Sequence, residues 1–168
     1  MPNPEATLLI FRDLSLTRKD EVISFIKRNL EPSRSYHKFM NVLPDTLRAW
    51  PQAQVVVLGE DGDSYGAAPP SGESWKQLYI DEACDDIPDT VWARAHFLSW
   101  VPYGAFVSMQ QISRANIYLS YPFVLSRSLM EAMSAGAAIV ASDTAPVCEV
   151  MRDRKIDVLI NFLLQLPC

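Results

Sequence analysis

The segment ANIYLSYPFVLSRSLMEAMSAGAAIVAS, residues 115–142, decides the fold. Its hydrophobic pattern predicts a strand at 115–119, a helix at 128–135 and a second strand at 138–141. Gly136 follows the predicted helix, at the position where a C-cap takes the left-handed conformation. A strand, a helix and a strand in this order predict a parallel βαβ unit, because parallel neighbours need a crossover connection.

The same alternation continues on both sides of this unit. The pattern predicts further strands at 7–11, 21–26, 54–58, 95–98 and 157–160, and helical segments at 36–50, 75–83, 103–112 and 147–151. We therefore predict an α/β domain: a Rossmann-like parallel sheet flanked by helices. Ligands bind such sheets beyond the carboxyl ends of the strands. The residues after Ile26, Leu119 and Ala141 are thus the first candidates for a site.

Composition narrows the class of protein. The chain has 168 residues, enough for one domain, and a formal net charge of −5, which disfavours a nucleic-acid partner. Its three cysteines show no CxxC spacing, and no carboxylate or cysteine lies at metal-ligand spacing from either histidine. No apolar run is long enough for a transmembrane segment, and the N-terminus does not resemble a signal peptide. We expect a cytoplasmic protein.

Two arginines follow the strand predicted at 21–26. Arg28 leaves the end of that strand, and Arg34 lies just before the next helix. Two guanidinium groups at one strand end suit a diphosphate, because each can hold phosphate oxygens bidentately. The residues alone leave a second interpretation open and favour it: a solvated basic turn balanced by nearby acidic side chains.

The helix predicted at 128–135 also allows two interpretations. The free backbone N–H groups at its first turn would attract an anion. However, Ser128 and Glu131 match the S-x-x-E capping box, in which the carboxylate only closes the helix end, and the residues alone favour this role. Simple capping is likewise the favoured role for residues 142–144. Of the histidines, His96 is expected in a strand at the core, whereas His37 could face a ligand near Arg34.

Several well-known motifs are absent from the sequence. It has no P-loop, no G-x-G-x-x-G fingerprint and no G-x-S-x-G nucleophile elbow. Among phosphate-binding α/β proteins, these absences disfavour an ATPase or a dinucleotide-binding enzyme.

The segment SLMEAMSAGAAIVASDTAPVCEV, residues 128–150, resembles the C-terminal domain of family 4 (group 1) glycosyltransferases. The similarity extends upstream through RNLEPSRSYHKFM, QVVVLG, SYGAAPP, HFLSWVPY and YLSYPFVLS. These are retaining enzymes of the two-domain GT-B type. The resemblance implies that the C-terminal domain binds a nucleotide-diphosphate sugar, that a separate N-terminal domain binds the acceptor, and that no metal or other cofactor is required.

The resemblance also assigns roles to particular residues. It implies that Arg28 and Arg34 stabilise the diphosphate as it leaves and that Glu131 holds the ribose hydroxyls. The other residues implied in donor binding are Val101 and Pro102 near the base, and Val124, Leu125, Ser126 and Leu129 near the phosphates.

The domain organisation leaves alternatives open. We expect residues 1–168 to be a single, truncated nucleotide-sugar-binding domain without its N-terminal acceptor domain, and therefore inactive without that domain or a partner chain. The alternative is an inactive fragment that docks on a partner, because Phe123 stands where the family has the first of two paired glutamates. A GT-B sugar-nucleotide epimerase ranks third, since few acid and base groups are available.

Overall fold

Six parallel strands form the central sheet in the computed structural model, which describes residues 8–62, 66–70, 72–85, 87–122, 125–151 and 157–160. The strands are β3 (Glu21–Asn29), β4 (Ala53–Glu60), β5 (Ala95–Leu98), β6 (Ala115–Tyr118), β7 (Ile139–Ser142) and β8 (Asp157–Ile160). Their order is β5-β4-β3-β6-β7-β8. The predicted α/β fold with a parallel sheet is therefore confirmed.

The helices connect these strands. They are α1 (Tyr36–Ala49), preceded by a 3₁₀ turn at Pro32–Arg34, α2 (Trp75–Cys84), α3 (Asp89–Trp92), α4 (Tyr103–Ile112), α5 (Arg127–Ser134) and α6 (Ala145–Val150). Predicted and observed helix bounds agree within about two residues, except for the short helix α3, which was not predicted; among the strands of the central sheet, β3 ends three residues later than predicted. None of the helices in the described part of the chain is long and apolar enough to span a bilayer.

A two-stranded hairpin lies outside the central sheet. It pairs β1 (Leu8–Phe11) with β2 (Leu14–Thr17) in antiparallel register. The turn predicted at Arg12 and Asp13 is present, but the second strand was missed. Leu16 is buried and packs in one cluster with Met109 and Ile112 of α4, so the hairpin covers that helix.

The core lies on both faces of β3 and β4. Val55, Val56 and Val57 of β4 are fully buried because helices or the hairpin cover the sheet on either side. On one face, Phe25 of β3 stacks on Phe39 of α1 with ring centroids 4.4 Å apart. This packing fixes the position of α1, which is the helix that follows the basic turn.

The strand order reverses between β3 and β6. From β3 the chain moves outward through β4 to β5, and it then returns to β6 on the other side of β3 before moving outward to β7 and β8. In a parallel sheet, such a switch point opens a crevice at the carboxyl ends of the two strands.

Candidate functional site: a basic cleft at the switch point

A cleft of about 1270 Å³ opens at this switch point. Its walls come from the carboxyl ends of β3, β4 and β6, the segment after β5, and the start of α5. Among the described residues, four basic and two acidic side chains line it: Lys27, Arg28, Arg34, Arg127, Glu60 and Glu131. The cleft thus carries excess positive charge in a chain whose net charge is −5.

The structure brings Arg28 and Arg34 to one wall of this cleft. Arg28 is exposed near the end of β3. Arg34 ends the 3₁₀ turn, and its Nε lies 3.0 Å from Oε1 of Glu31, whose side chain is only 1% exposed. An acidic side chain does balance Arg34, as the solvated-turn interpretation expects. The turn is not fully solvated, however, because this carboxylate is buried and fixes the direction of the guanidinium group.

The start of α5 forms another wall of the cleft, and here the predicted capping box is wrong. The N-cap is Ser126, whose Oγ accepts a hydrogen bond of 3.3 Å from the Leu129 amide. Ser128 already lies in the first turn, and its hydroxyl is 2.8 Å from Oγ of Ser126. Glu131 is therefore two residues too far along to close the helix end, and it lines the cleft instead.

The first turn of α5 points backbone donors at the same space. The amides of Arg127 and Ser128 have no acceptor within the helix, as in any first helical turn. Both residues line the cleft. The positive end of the helix dipole and the first-turn amides thus belong to the same cleft as Arg28 and Arg34.

Three of the other residues expected to contact a donor line the cleft: Val101, Leu125 and Ser126. Pro102 is the exposed residue before α4 and is not among the lining residues. The Leu129 side chain is 1% exposed in a core cluster, because it is on the face of α5 turned to the sheet. Val124 lies outside the described residues.

The third candidate strand end, after Ala141, does not reach the cleft. Oγ of Ser142 accepts a hydrogen bond of 3.0 Å from the Ser120 amide and so links the ends of β7 and β6. Thr144 precedes α6, but its side chain makes no capping hydrogen bond. The predicted capping role is therefore wrong for Ser142, whereas Thr144 does occupy the N-cap position of α6, without a side-chain capping hydrogen bond.

Lys27, which the sequence pattern did not indicate as a site residue, lies on the floor of the cleft. Its Nζ donates a 2.7 Å hydrogen bond to the carbonyl of Leu119 and lies 4.0 Å from the centroid of the Tyr118 ring. Burial, and secondarily the charge of Arg34, lowers the pKa of this lysine to about 7. The strand was predicted to end at Ile26, so Lys27 was taken for part of a solvated turn.

An aromatic wall was also missed. Trp100 and Tyr103 are 65% and 68% exposed, and Tyr103 stacks on Phe106 with centroids 5.9 Å apart. All three line the cleft beside Val101. The two aromatic residues of the short motif SWVPY were the sequence feature from which this wall could have been predicted.

Neither histidine belongs to the cleft lining. His96 Nε2 lies 2.8 Å from Oε1 of Gln54, and burial lowers the pKa of His96, which agrees with the predicted structural role. His37 packs beside Tyr79 instead of facing the cleft, and burial lowers its pKa as well. No group of three His, Cys, Asp or Glu side chains within the described ranges could hold a metal ion.

Comparison with solved structures identifies the class of fold. The fold resembles that of an Anabaena protein, Alr3699/HepE, solved with UDP-glucose, with a TM-score of 0.62, 20% identity, and coverage of 87% of this chain and 37% of that one. It also resembles the C-terminal domain of a group 1 glycosyl transferase, LpcC, from Francisella tularensis, with a TM-score of 0.64, 16% identity, and coverage of 83% and 67%.

A third solved structure is an E. coli protein with the description "trehalose-6-phosphate", bound to UDP-2-fluoro glucose, with a TM-score of 0.66, 12% identity, and coverage of 88% of this chain and 34% of that one. This chain therefore spans about a third of the length of the Anabaena and E. coli proteins. Its fold is that of the C-terminal half of a GT-B protein.

The family follows from the sequence profile of glycosyl transferases group 1, which matches residues 9–162. The chain belongs to this family, as the resemblance predicted. No curated protein sequence matches the chain.

Proposed function

We propose that this chain is the donor-binding domain of a retaining, metal-independent glycosyltransferase and holds a nucleotide-diphosphate sugar in the cleft. The observation that supports this most is the meeting of Arg28, Arg34 and the first turn of α5 around one space. In the proposal, the guanidinium groups and the backbone amides bind the diphosphate from different walls of the cleft.

This arrangement suits the chemistry of glycosyl transfer. When the bond between the sugar and the diphosphate breaks, negative charge develops on the distal phosphate. Fixed cations and helix amides directed at that position lower the barrier, because they are already oriented before the charge appears. They would provide the charge stabilisation that a divalent cation provides in metal-dependent transferases.

The two remaining walls suit the nucleoside. Glu131 is one turn into α5, close enough to the phosphate-binding amides for a carboxylate to accept hydrogen bonds from ribose hydroxyls. The exposed aromatic wall at Trp100 and Tyr103 offers flat apolar surface beside Val101, where we place the base. The sugar would extend toward the open side of the cleft.

Calorimetric titration tests the proposal. We expect UDP, GDP or ADP, or the corresponding sugars, to bind with a Kd below 1 mM, and Arg28→Gln and Glu131→Gln to weaken binding at least tenfold, about the effect of one charged hydrogen bond. Arg114→Gln is the matched control, because Arg114 is exposed beside the amino end of β6. Unchanged binding in both cleft variants would refute the assignment.

Transfer itself requires an acceptor. Because the chain spans about a third of the two-domain proteins it resembles, we propose that an N-terminal domain or partner chain supplies the acceptor site. The isolated chain should therefore bind donor without transferring sugar. Detection of a labelled glycosylated product with this chain alone would contradict this part of the proposal.

A further inference from the structure

Lys27 is a buried cation that the proposed donor contacts do not use. Only 7% of the residue is exposed, yet it lines the cleft floor. Its ammonium group lies between β3 and the end of β6, where the Leu119 carbonyl accepts one of its N–H groups at 2.7 Å. The rings of Tyr118 and Phe25 lie 4.0 Å and 5.5 Å from Nζ.

Lys27 therefore lies at the switch point of the sheet, which is where parallel α/β sheets bind ligands. An anion bound by both the arginine wall and the start of α5 would lie over the carboxyl ends of β3 and β6, and Lys27 near the end of β3 lines this part of the cleft. One carbonyl and two aromatic faces offset only part of the cost of burying a positive charge, so the amine has reason to be neutral while the cleft is empty.

The charged groups around Lys27 influence whether its amine is protonated. Among the described residues, the other ionisable side chains that line the cleft are Arg28, Arg34, Glu60, Tyr103, Tyr118, Tyr121, Arg127 and Glu131. Burial, and secondarily the charge of Arg34, lowers the pKa of Lys27 to about 7. A bound diphosphate would reverse this balance, because an adjacent anion favours the charged form of an amine.

We propose that Lys27 is a further binding residue for the diphosphate and that its amine takes up a proton when the anion enters the cleft. The inference rests on the proposed function. The proton comes from solvent and binds the lone pair of Nζ, and no covalent bond to the ligand forms. Nucleotide affinity should then fall as the pH rises from 6.5 to 8.5, because the bound form needs a proton that the free form has lost.

Calorimetry in two buffers of different ionisation enthalpy, Tris and HEPES at pH 8, measures the proton uptake directly. With UDP, GDP or ADP, whichever binds the parent chain, we expect an uptake of about 0.5 to 1 proton per nucleotide. Lys27→Met should abolish this uptake and weaken binding at least tenfold, about the effect of one charged hydrogen bond. Lys27→Arg should abolish the uptake and retain most of the affinity, because arginine stays protonated.

Lys19→Met is the matched control, since Lys19 is exposed in the turn before β3, at the opposite end of the sheet. It should behave like the parent chain. Equal proton uptake in the parent chain and Lys27→Arg would overturn the inference, even if Lys27→Met failed to fold. Nucleotide binding that is insensitive to both substitutions would overturn it while leaving the proposed function intact. Absence of any nucleotide binding would overturn both.

Discussion

At the scale of single residues, the pairing of Arg34 with Glu31 shows how the cleft holds its cations. The Glu31 side chain is almost fully buried, whereas 25% of the Arg34 side chain is exposed. The carboxylate therefore serves to direct the guanidinium group of an arginine that lines the cleft.

This arrangement predicts a non-additive effect on stability. Arg34→Gln should lower the free energy of unfolding by about 1–3 kcal/mol, because it leaves a buried carboxylate without its ion pair. Adding Glu31→Gln should restore a good part of that loss, since the buried charge is then gone. Urea denaturation of the parent chain, both single variants and the double variant measures the coupling; strictly additive losses would argue against it.

Lys27 predicts a pH dependence of stability even without ligand. Its pKa is about 7 in the folded chain, lower than the ordinary value of 10.5. Above pH 7 the unfolded chain therefore binds more protons than the folded one, and the free energy of unfolding rises with pH at up to about 1.4 kcal/mol per unit.

Urea denaturation at pH 7, 7.75 and 8.5 should show this rise in the parent chain relative to Lys27→Met. Below pH 7 the contribution of Lys27 should level off, because the amine is then protonated in both states. Parallel pH profiles for the two chains would show that Lys27 is charged when folded.

At the scale of elements, the start of α5 shows what a sequence pattern cannot decide. The segment S-R-S-L-M-E contains two serines that suit an N-cap, and the S-x-x-E spacing favours the second. The helix begins after the first, because Ser126 is in the extended conformation that precedes a helix and its Oγ reaches the Leu129 amide. Moving the cap by two residues turns Glu131 from a cap into a cleft residue.

Substitution at the two serines separates these possibilities. Ser126→Ala should lower the free energy of unfolding by about 1 kcal/mol through loss of the N-cap, whereas Ser128→Ala should cost only a few tenths. Thermal unfolding of the two variants gives the comparison. A larger loss at Ser128 would place the helix start where the sequence analysis put it.

The end of α5 gives a further prediction about backbone conformation. Gly136 has a φ of +71° and no atom within 4 Å of an added Cβ, so Gly136→Ala should cost about 1 kcal/mol through backbone strain alone. Gly104, inside α4, has equal space and no positive φ. Gly104→Ala should therefore be neutral or stabilising by about 0.5 kcal/mol in the same denaturation assay. Equal losses at both positions would contradict this explanation.

At the scale of the whole molecule, the sequence predicted the sheet well and the cleft only in part. Apolar runs such as QVVVL are strong signals because a strand buried on both faces has few alternatives. The hairpin strand at Leu14–Thr17 was missed because four residues carry little periodicity. Lys27 and the aromatic wall were missed because only the strand order brings them beside α5.

The central claim is that one cleft at the carboxyl ends of the strands holds the diphosphate, and an ¹⁵N-labelled NMR titration with UDP, GDP and ADP tests it most directly. We predict saturable shifts at the amides of Arg28, Gly59, Arg127 and Ser128, and unchanged signals at Arg114 and Lys19. Saturable shifts confined to the amino ends of the strands, or no saturable shift with any of the three nucleotides, would contradict the account.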